Sequence, residues 1–494
     1  MIIAILCLVL AISVGVAVYA GYGRRNGGIS EFLVGGRSFP AWLVYFLAVG
    51  EVYSIGTLLG FPSGIYAHGA SYGVWFIGYI LLAYVFGYFL APLVWRAAKR
   101  YDAMTVPDII GRHFSSRTVE LVTCLTLLVG LVPWGQYQFI GLQVVLSSLG
   151  VSLTPVQAVV IAGVLAFLYV AVSGIRSPAY VSVIKDTLMV ITVAAVGIAV
   201  LFATHGSGAT TTPLHITPAM STISGSAMTF TMTTIIFQAF VFYLGLGAMY
   251  ILPAKSERAV KSSTVWMPLY MLIYPMLVLA SLYALQKYPG VSNPNTIFMV
   301  TARGLLPDWL VGIVASGAAL SGLLVLAATA LAIGGLVSRN LFSGLQPHAQ
   351  RRWSTVFVAA FLVLGAVLTL YASTLMLTVL NLFYGLVAQI VPAFVTVLFL
   401  RRVPAAAIST GMIVGVVLSV ALYLHGPSVL GGINSGVIST GVNALVIVVW
   451  RLLAPGPERE PVAHRTEIPV SVTADPPAVP AEALPAGDPH RVRQ

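Results

Sequence analysis

The sequence predicts an all-α, polytopic membrane protein with thirteen transmembrane helices, and three observations carry that prediction. Of 494 residues, 59% are hydrophobic and only 8% charged, whereas a soluble domain carries about 25% charged residues. Apolar runs of about 20 residues, enough to cross a hydrocarbon core roughly 30 Å thick, recur along the whole length. The charges collect in short loops between these runs. The net charge of +11 therefore reads as a membrane-topology signal and not as a nucleic-acid footprint.

In chain order the spans fall at 2–22, 40–67, 71–95, 120–148, 154–173, 178–203, 227–252, 264–286, 308–336, 354–373, 375–400, 404–424 and 433–453. The first lacks a preceding positive charge and is followed by Arg24 and Arg25, which marks an uncleaved anchor rather than a signal peptide. Of the 25 lysines and arginines, four lie in the C-terminal tail and Lys185 lies inside a span. Lys287 and Arg303 face one side, and the remaining eighteen face the other, among them Arg96, Lys99, Arg100, Lys255, Lys261, Arg351, Arg352, Arg401 and Arg402. Basic loops stay in the cytoplasm, so the N-terminus is expected outside and the C-terminus inside. Cys7 and Cys124 both sit in apolar runs, which does not suit a disulfide framework. The segment 454–494, rich in proline, alanine and charge, is expected as a disordered cytoplasmic tail. It is shorter than a kinase or other signalling domain.

The second span holds Glu51 together with Gly50, Gly56, Gly60, Pro62 and Gly64, and the seventh holds Gly245 and Gly247. Five spans separate the two. Five being odd, two five-span units in succession must be inverted relative to each other, and interrupted helices at matching positions point to a transporter's central site. Glycine is also common in membrane helices because it permits close packing, and spacing alone leaves both readings open.

Few groups in the spans carry chemistry. Ionisable residues are Glu51, Lys185 and Asp186, with Glu120 and Asp308 near span ends. Intramembrane acids are functional by default, so Glu51 is the leading candidate for binding a proton or cation. Asp186 reads equally as a coupling residue or as a structural one, in an ion pair with Lys185 or beside a lysine that snorkels to the cytoplasmic face. Trp134 and Gln138 stand four apart on one helical face and suit a small polar solute, as do Tyr243, Asn381, Tyr384 and Gln389 more weakly. All eight histidines lie in loops, at span ends or in the tail. With no nucleophile-elbow, zinc-protease or phosphate-loop motif, an enzyme is disfavoured and no cofactor is expected.

The ordered stretches "EFLVGGRSFPAW", "GFPSGIYAHG", "TVPDIIGRHF", "YVAVSGIRSPAYVSVIKDTLM", "AKSERAVKSS" and "SRNLF" resemble the sodium:solute symporter family over roughly residues 30–450. Within it, "LVPWGQYQFIGLQVVL" and "GIRSPAYVSVIKDTL" are most similar to bacterial monocarboxylate permeases. The resemblance implies a five-plus-five inverted-repeat core. Residues 40–203 and 204–400 would be the repeats, with 1–39 a span and cytoplasmic loop and 401–453 peripheral spans. It also implies a solute site near Glu51, Tyr53, Trp134, Gln138, Tyr243 and Asn381. Sodium would be held by carbonyls of Gly50 and Tyr53, and Asp186 would lie near the inner ion-exit route.

Two adjacent hydroxyl residues that many members supply to that sodium fall on Leu324 and Val325 here, leaving Ser321 one turn earlier. Sodium or a proton is thus the expected coupling ion. The expected activity is import of a small organic solute across the cell membrane, led by a short monocarboxylate. Import of proline or a sugar is the alternative, and a transporter-like sensor the rival class. The expected partners are solute and membrane lipid, without nucleic acid or an obligate protein partner.

Overall fold

The computed structural model describes residues 1–21, 29–150, 154–205, 214–215, 217–223, 225–371, 375–426 and 428–464. Arg24, Arg25 and residues 465–494 of the expected tail lie outside them. Helix α1 (Ile2–Gly21) is followed by α2 (Ala41–Val52) and α3 (Gly56–His68), a pair bent by 46°. Then come α4 (Ala70–Arg100), the short α5 (Val106–Phe114), α6 (Arg117–Ser147), α7 (Pro155–Ser173) and α8 (Arg176–His205). The second half holds α9 (Gly225–Gly245), α10 (Glu257–Lys287), α11 (Asp308–Leu341), α12 (Pro347–Tyr371), α13 (Met376–Phe399), α14 (Ala405–His425) and α15 (Ser435–Leu453). Among the described residues eleven helices are long and apolar enough to cross a membrane, and the bent pair passes the same test jointly. Twelve of the thirteen expected spans overlap one of these or the bent pair, and the remaining one, 154–173, overlaps α7, whose stretch Pro155–Phe167 is a shorter apolar helix. The described strands are one two-residue pair, Ser428–Val429 with Ile433–Asn434.

Burial orders the helices into centre and rim. The apolar stretches of α11 and α13 are 89% and 83% buried, whereas those of α1 and α15 are 22% buried. Helix α11 packs against α1, α6 and α8; α6 also contacts α13, and α4 lies against α9 and α10. A helix apolar all round belongs inside a large protein or in lipid, and α11 does the former.

Helix starts follow local chemistry. Ser116 accepts from Val119 N at the head of α6, and Thr154 with Gln157 forms a capping box on α7. At α5 the box is Thr105 with Asp108, and each satisfies donors that a helix N-terminus leaves free. Asp108 does more. Its carboxylate also accepts from Asn340 Nδ2 (2.8 Å) and pairs with Arg339, while Thr105 Oγ1 donates to Asn340 Oδ1 (2.8 Å). Glu120 accepts from the same Asn340 amide (2.8 Å) and pairs with Arg117 (2.9 Å). So "TVPDIIGRHF" and "SRNLF", more than 220 residues apart, are tied into one network at the basic face.

The segment 454–464, expected as the start of a disordered tail, instead packs on this face. Gly456 N donates to Arg402 O (3.0 Å), the Arg459 guanidinium donates to Phe114 O (3.1 Å) and Val403 O (3.3 Å), and Val462 is buried. The reason is its arginine. Arg459 reaches the carbonyls of Phe114, at the end of α5, and Val403, just before α14, and lies over the Phe114 ring, a set of contacts that composition does not show.

His113, in α5, is buried and pairs with Tyr101 Oη (2.8 Å). Burial, aided by Arg459 and Arg100, lowers its pKa from 6.5 to about 4. Between those values the unfolded chain binds the proton and the folded one does not. The stability this site contributes is therefore complete above pH 6.5 and is lost as pH falls toward 4. Its ceiling is about 3 kcal/mol. Thermal unfolding of the detergent-purified protein should show a midpoint that drops between pH 7 and 5. His113→Gln should remove part of that drop, and an unchanged pH profile in the variant would contradict the assignment.

Candidate ion and solute site

The break in the second span is the structural centre. Helix α2 ends at Val52, where Tyr53 leaves helical geometry (φ −95°, ψ 78°). The chain re-enters a helix at once, because Ser54 Oγ accepts from Gly56 N (3.2 Å) and Ser54 O from Thr57 N (2.9 Å). A wide turn follows, with Phe61 N bonded to Gly56 O. Two glycines are sterically required here. A Cβ on Gly56 would stand 1.7 Å from Tyr137 Oη, and one on Gly50 would stand 2.7 Å from Ser182 Cβ on α8. Glycine thus lets the broken helix press against α6 and α8. The seventh span, expected to be interrupted at Gly245 and Gly247, does not unwind. It carries a wide turn over Phe242–Leu246, closed by Gly247 N on Phe242 O (2.9 Å).

At the break, the carbonyls of Gly50 and Tyr53 accept from Lys185 Nζ at 3.1 and 2.7 Å. Lys185 is fully buried, and Asp186 Oδ1 lies 2.6 Å from its ammonium. A snorkelling lysine is therefore ruled out, since the ammonium points into the protein. The Gly50 and Tyr53 oxygens, which the resemblance implies hold sodium, thus accept from the Lys185 ammonium in this structure. Ser321, expected as a further ligand, donates to Gly317 O (2.7 Å), and Thr329 donates to Val325 O (2.7 Å). Both hydroxyls are engaged by their own helix. Leu324 stands beside Gly50 instead; its Cδ2 lies 3.4 Å from where a Gly50 Cβ would be.

Across the break from Lys185 lies a cavity of about 50 Å³, several times what one water occupies on the same measure. Glu51, Ser54 and Thr57 line it from the break, Leu131, Trp134 and Tyr137 from α6, and Tyr79, Tyr250 and Tyr384 from surrounding elements. Glu51 Oε1, Thr57 Oγ1 and Tyr250 Oη have no hydrogen-bond partner among the described residues. Trp134 stacks on Phe383 (centroids 4.6 Å apart) and Tyr137 (5.5 Å), so its plane is fixed. An apolar wall with a few convergent polar atoms is the usual form of a small-molecule site. A second cavity of about 100 Å³ shares Leu131 with the first and reaches Met104 and Thr105 at the basic face. Among the described residues no group of three or more His, Cys, Asp or Glu could hold a metal.

Of the residues expected to bind solute, Glu51 and Trp134 line the cavity, and four do not. The Tyr53 ring turns away to Tyr84 Oη (2.5 Å) and Tyr270. Gln138 is fully buried elsewhere on α6. Tyr243 packs where Gly87 leaves room, its hydroxyl on Met267 Sδ (3.9 Å). Asn381 Oδ1 accepts from Gln238 (3.1 Å) and Asn434 (3.2 Å), a helix-to-helix tie. Gln389 likewise bonds Ser439 and Gly385 O. Tyr384, a weaker candidate, does line the cavity, joined by the unanticipated Ser54, Thr57, Tyr79, Tyr137 and Tyr250.

Residues 32–415 match the sodium:solute symporter family. The chain belongs to that family. It is 26% identical to a monocarboxylate transport permease protein of Rhizobium johnstonii, covering 86% of this chain and 91% of that one. It is also 26% identical to an uncharacterized symporter of Bacillus subtilis, over 90% of this chain and 92% of that one. Among solved structures, a substrate-bound, outward-open Na+-coupled sialic acid symporter superposes with a TM-score of 0.75 at 16% identity, covering 93% and 98% of the two chains. A nucleobase-cation-symport-1 family transporter in a closed conformation follows, at 0.54, 12% identity, and 86% and 95% coverage. The family and these neighbours are transporters, and this member is a multi-pass protein of the cell membrane.

The cavity wall predicts a contrast between two variants. Trp134→Ala should raise the solute KM roughly tenfold, the worth of about 1.4 kcal/mol, besides losing the stability of its two ring contacts. Asn381→Ala should lower the thermal midpoint, because Gln238 and Asn434 lose their acceptor. Uptake kinetics and thermal scans on both variants check this, and an unchanged KM in Trp134→Ala would return that ring to packing.

Proposed function

We propose that this symporter imports a short monocarboxylate together with a proton, by alternating access around the cavity at the α2 break. The carrying observation is Glu51, which lines that cavity with Oε1 unpartnered. Two carboxylates in one buried site repel each other strongly. A carboxylate solute beside Glu51 therefore requires that Glu51 carry a proton, which it can then donate to the anion as a hydrogen bond. The proton and the anion enter as one neutral set. Hydroxyls of Ser54, Thr57 and the cavity tyrosines would supply further donors, and the apolar wall would take a short alkyl group. The monocarboxylate permease relative supports the solute class.

In this reading thirteen helices cross the membrane, N-terminus outside and C-terminus inside. Residues 40–203 and 204–400 form inverted repeats, 1–39 and 401–453 lie at the periphery, and 454–494 sits in the cytoplasm. The wide turns at Gly56–Gly60 and Phe242–Leu246, in the leading helices of the two units, support the repeat. The route inward runs past Leu131 into the second cavity and toward the Asp108–Asn340 network. Solute binding is the role assigned to Glu51, Trp134 and the cavity hydroxyls, and no catalysis is assigned to the chain.

Sodium-driven import of another solute, such as proline or a sugar, is the second reading, and membership of a sodium:solute symporter family favours it. Labelled acetate, pyruvate, proline and glucose in proteoliposomes, under imposed proton or sodium gradients, separate the two. Acetate or pyruvate should accumulate under an inward proton gradient without sodium, and Glu51→Gln should reduce this to background while still reaching the membrane. Uptake driven only by sodium, or a fully active Glu51→Gln, would overturn the proposal.

A further inference from the structure

A helix broken within the bilayer leaves carbonyl oxygens that must find donors or a cation, since lipid supplies neither. At the break between α2 and α3 the oxygens of Gly50 and Tyr53 converge on one point, which is occupied by the ammonium of Lys185 at 3.1 and 2.7 Å. An ammonium has three donors and no acceptor. Its third neighbour is Asp186 Oδ1 at 2.6 Å, so Lys185 meets three oxygens and the carboxylate balances its charge. On the opposing wall Leu324 faces Gly50, and neither it nor Val325 carries a side-chain oxygen; the Ser321 and Thr329 hydroxyls stand at other turns of α11, donating to Gly317 O and Val325 O. A free sodium ion requires several oxygen ligands and would have to displace the ammonium to reach two.

We propose that Lys185 is a tethered cation. Its ammonium takes the place of a free coupling ion at the α2 break and latches α2 to α8, and the transport cycle turns without sodium at this point. The neighbouring groups fit this role. The Tyr270 hydroxyl donates to Asp186 O (3.0 Å), fixing the turn of α8 that carries the pair. Ser182, one turn earlier on α8, is the residue against which Gly50 packs. The same helix therefore supplies both the close contact and the cation. A latch formed by a side chain stays with the protein through every cycle, whereas a free ion is carried across. The site thus sets the conformation of the break without moving charge over the membrane.

The inference rests on the transport reading only for its mechanism, and its test needs no solute. Thermal unfolding of purified protein is measured in sodium chloride and in choline chloride, with and without methylammonium. The wild-type midpoint should be the same in sodium and choline. Lys185→Ala should unfold several degrees lower, and methylammonium, which can re-enter the vacated place, should restore part of the loss. Lys185→Ala/Leu324→Thr, which adds a hydroxyl opposite Gly50, should gain a sodium-specific stabilisation. A sodium-specific rise in the wild type overturns the proposal, and this arm stands even where the variants fail to fold. A Lys185→Ala protein of wild-type stability, or one that neither methylammonium nor the added hydroxyl with sodium improves, also overturns it.

Discussion

The arrangement of this transporter hangs on the contact between Lys185 and the two carbonyls at the break in its second span. Unwinding a helix in a membrane costs several kcal/mol for each polar backbone group left without a partner. Lys185 satisfies Gly50 O and Tyr53 O together, and burying a lone ammonium is itself tolerable only because Asp186 stands beside it. With the break secured, Gly56 admits the Tyr137 hydroxyl and Glu51 is turned to the cavity on the other side. The Lys185 ammonium and the Glu51 cavity are therefore both set by one local geometry.

A second polar network, away from the centre, closes the basic face. Asp108, Arg339, Asn340, Glu120 and Arg117 link the loop helix α5, the head of α6 and the end of α11. The second cavity is lined by Thr105 and Met104, which belong to this network. Arg459 adds a clasp from the chain that follows α15. Such groups have discrete arrangements, which is how packed elements switch rather than deform.

Much of this was legible in the residues. Composition and apolar run length locate the helices, because lipid imposes length and polarity directly. Glycine and proline around Glu51 mark the break, and the lone carboxylate marks the cavity. The motifs "TVPDIIGRHF" and "SRNLF" were visible as pieces, but only the fold brings Asp108 to Asn340. The ion pair of Lys185 with Asp186 is present, but the lysine's contact with backbone oxygens more than 130 residues away cannot be read from the sequence. Tyr79, Tyr137 and Tyr250 look like any membrane aromatic until tertiary packing assembles them. Ser321 donates to its own backbone four residues back, as a hydroxyl inside a helix does.

The central claim is that a neutral proton-and-anion set crosses while the permanent cation stays in place. Charge movement tests this most directly. In proteoliposomes holding the purified protein, initial uptake of a monocarboxylate is measured under imposed potassium diffusion potentials of either sign, at fixed pH on both sides. The account predicts uptake that is indifferent to the potential and carries no net current in sodium-free medium. An inward current that accompanies solute and requires external sodium would contradict it.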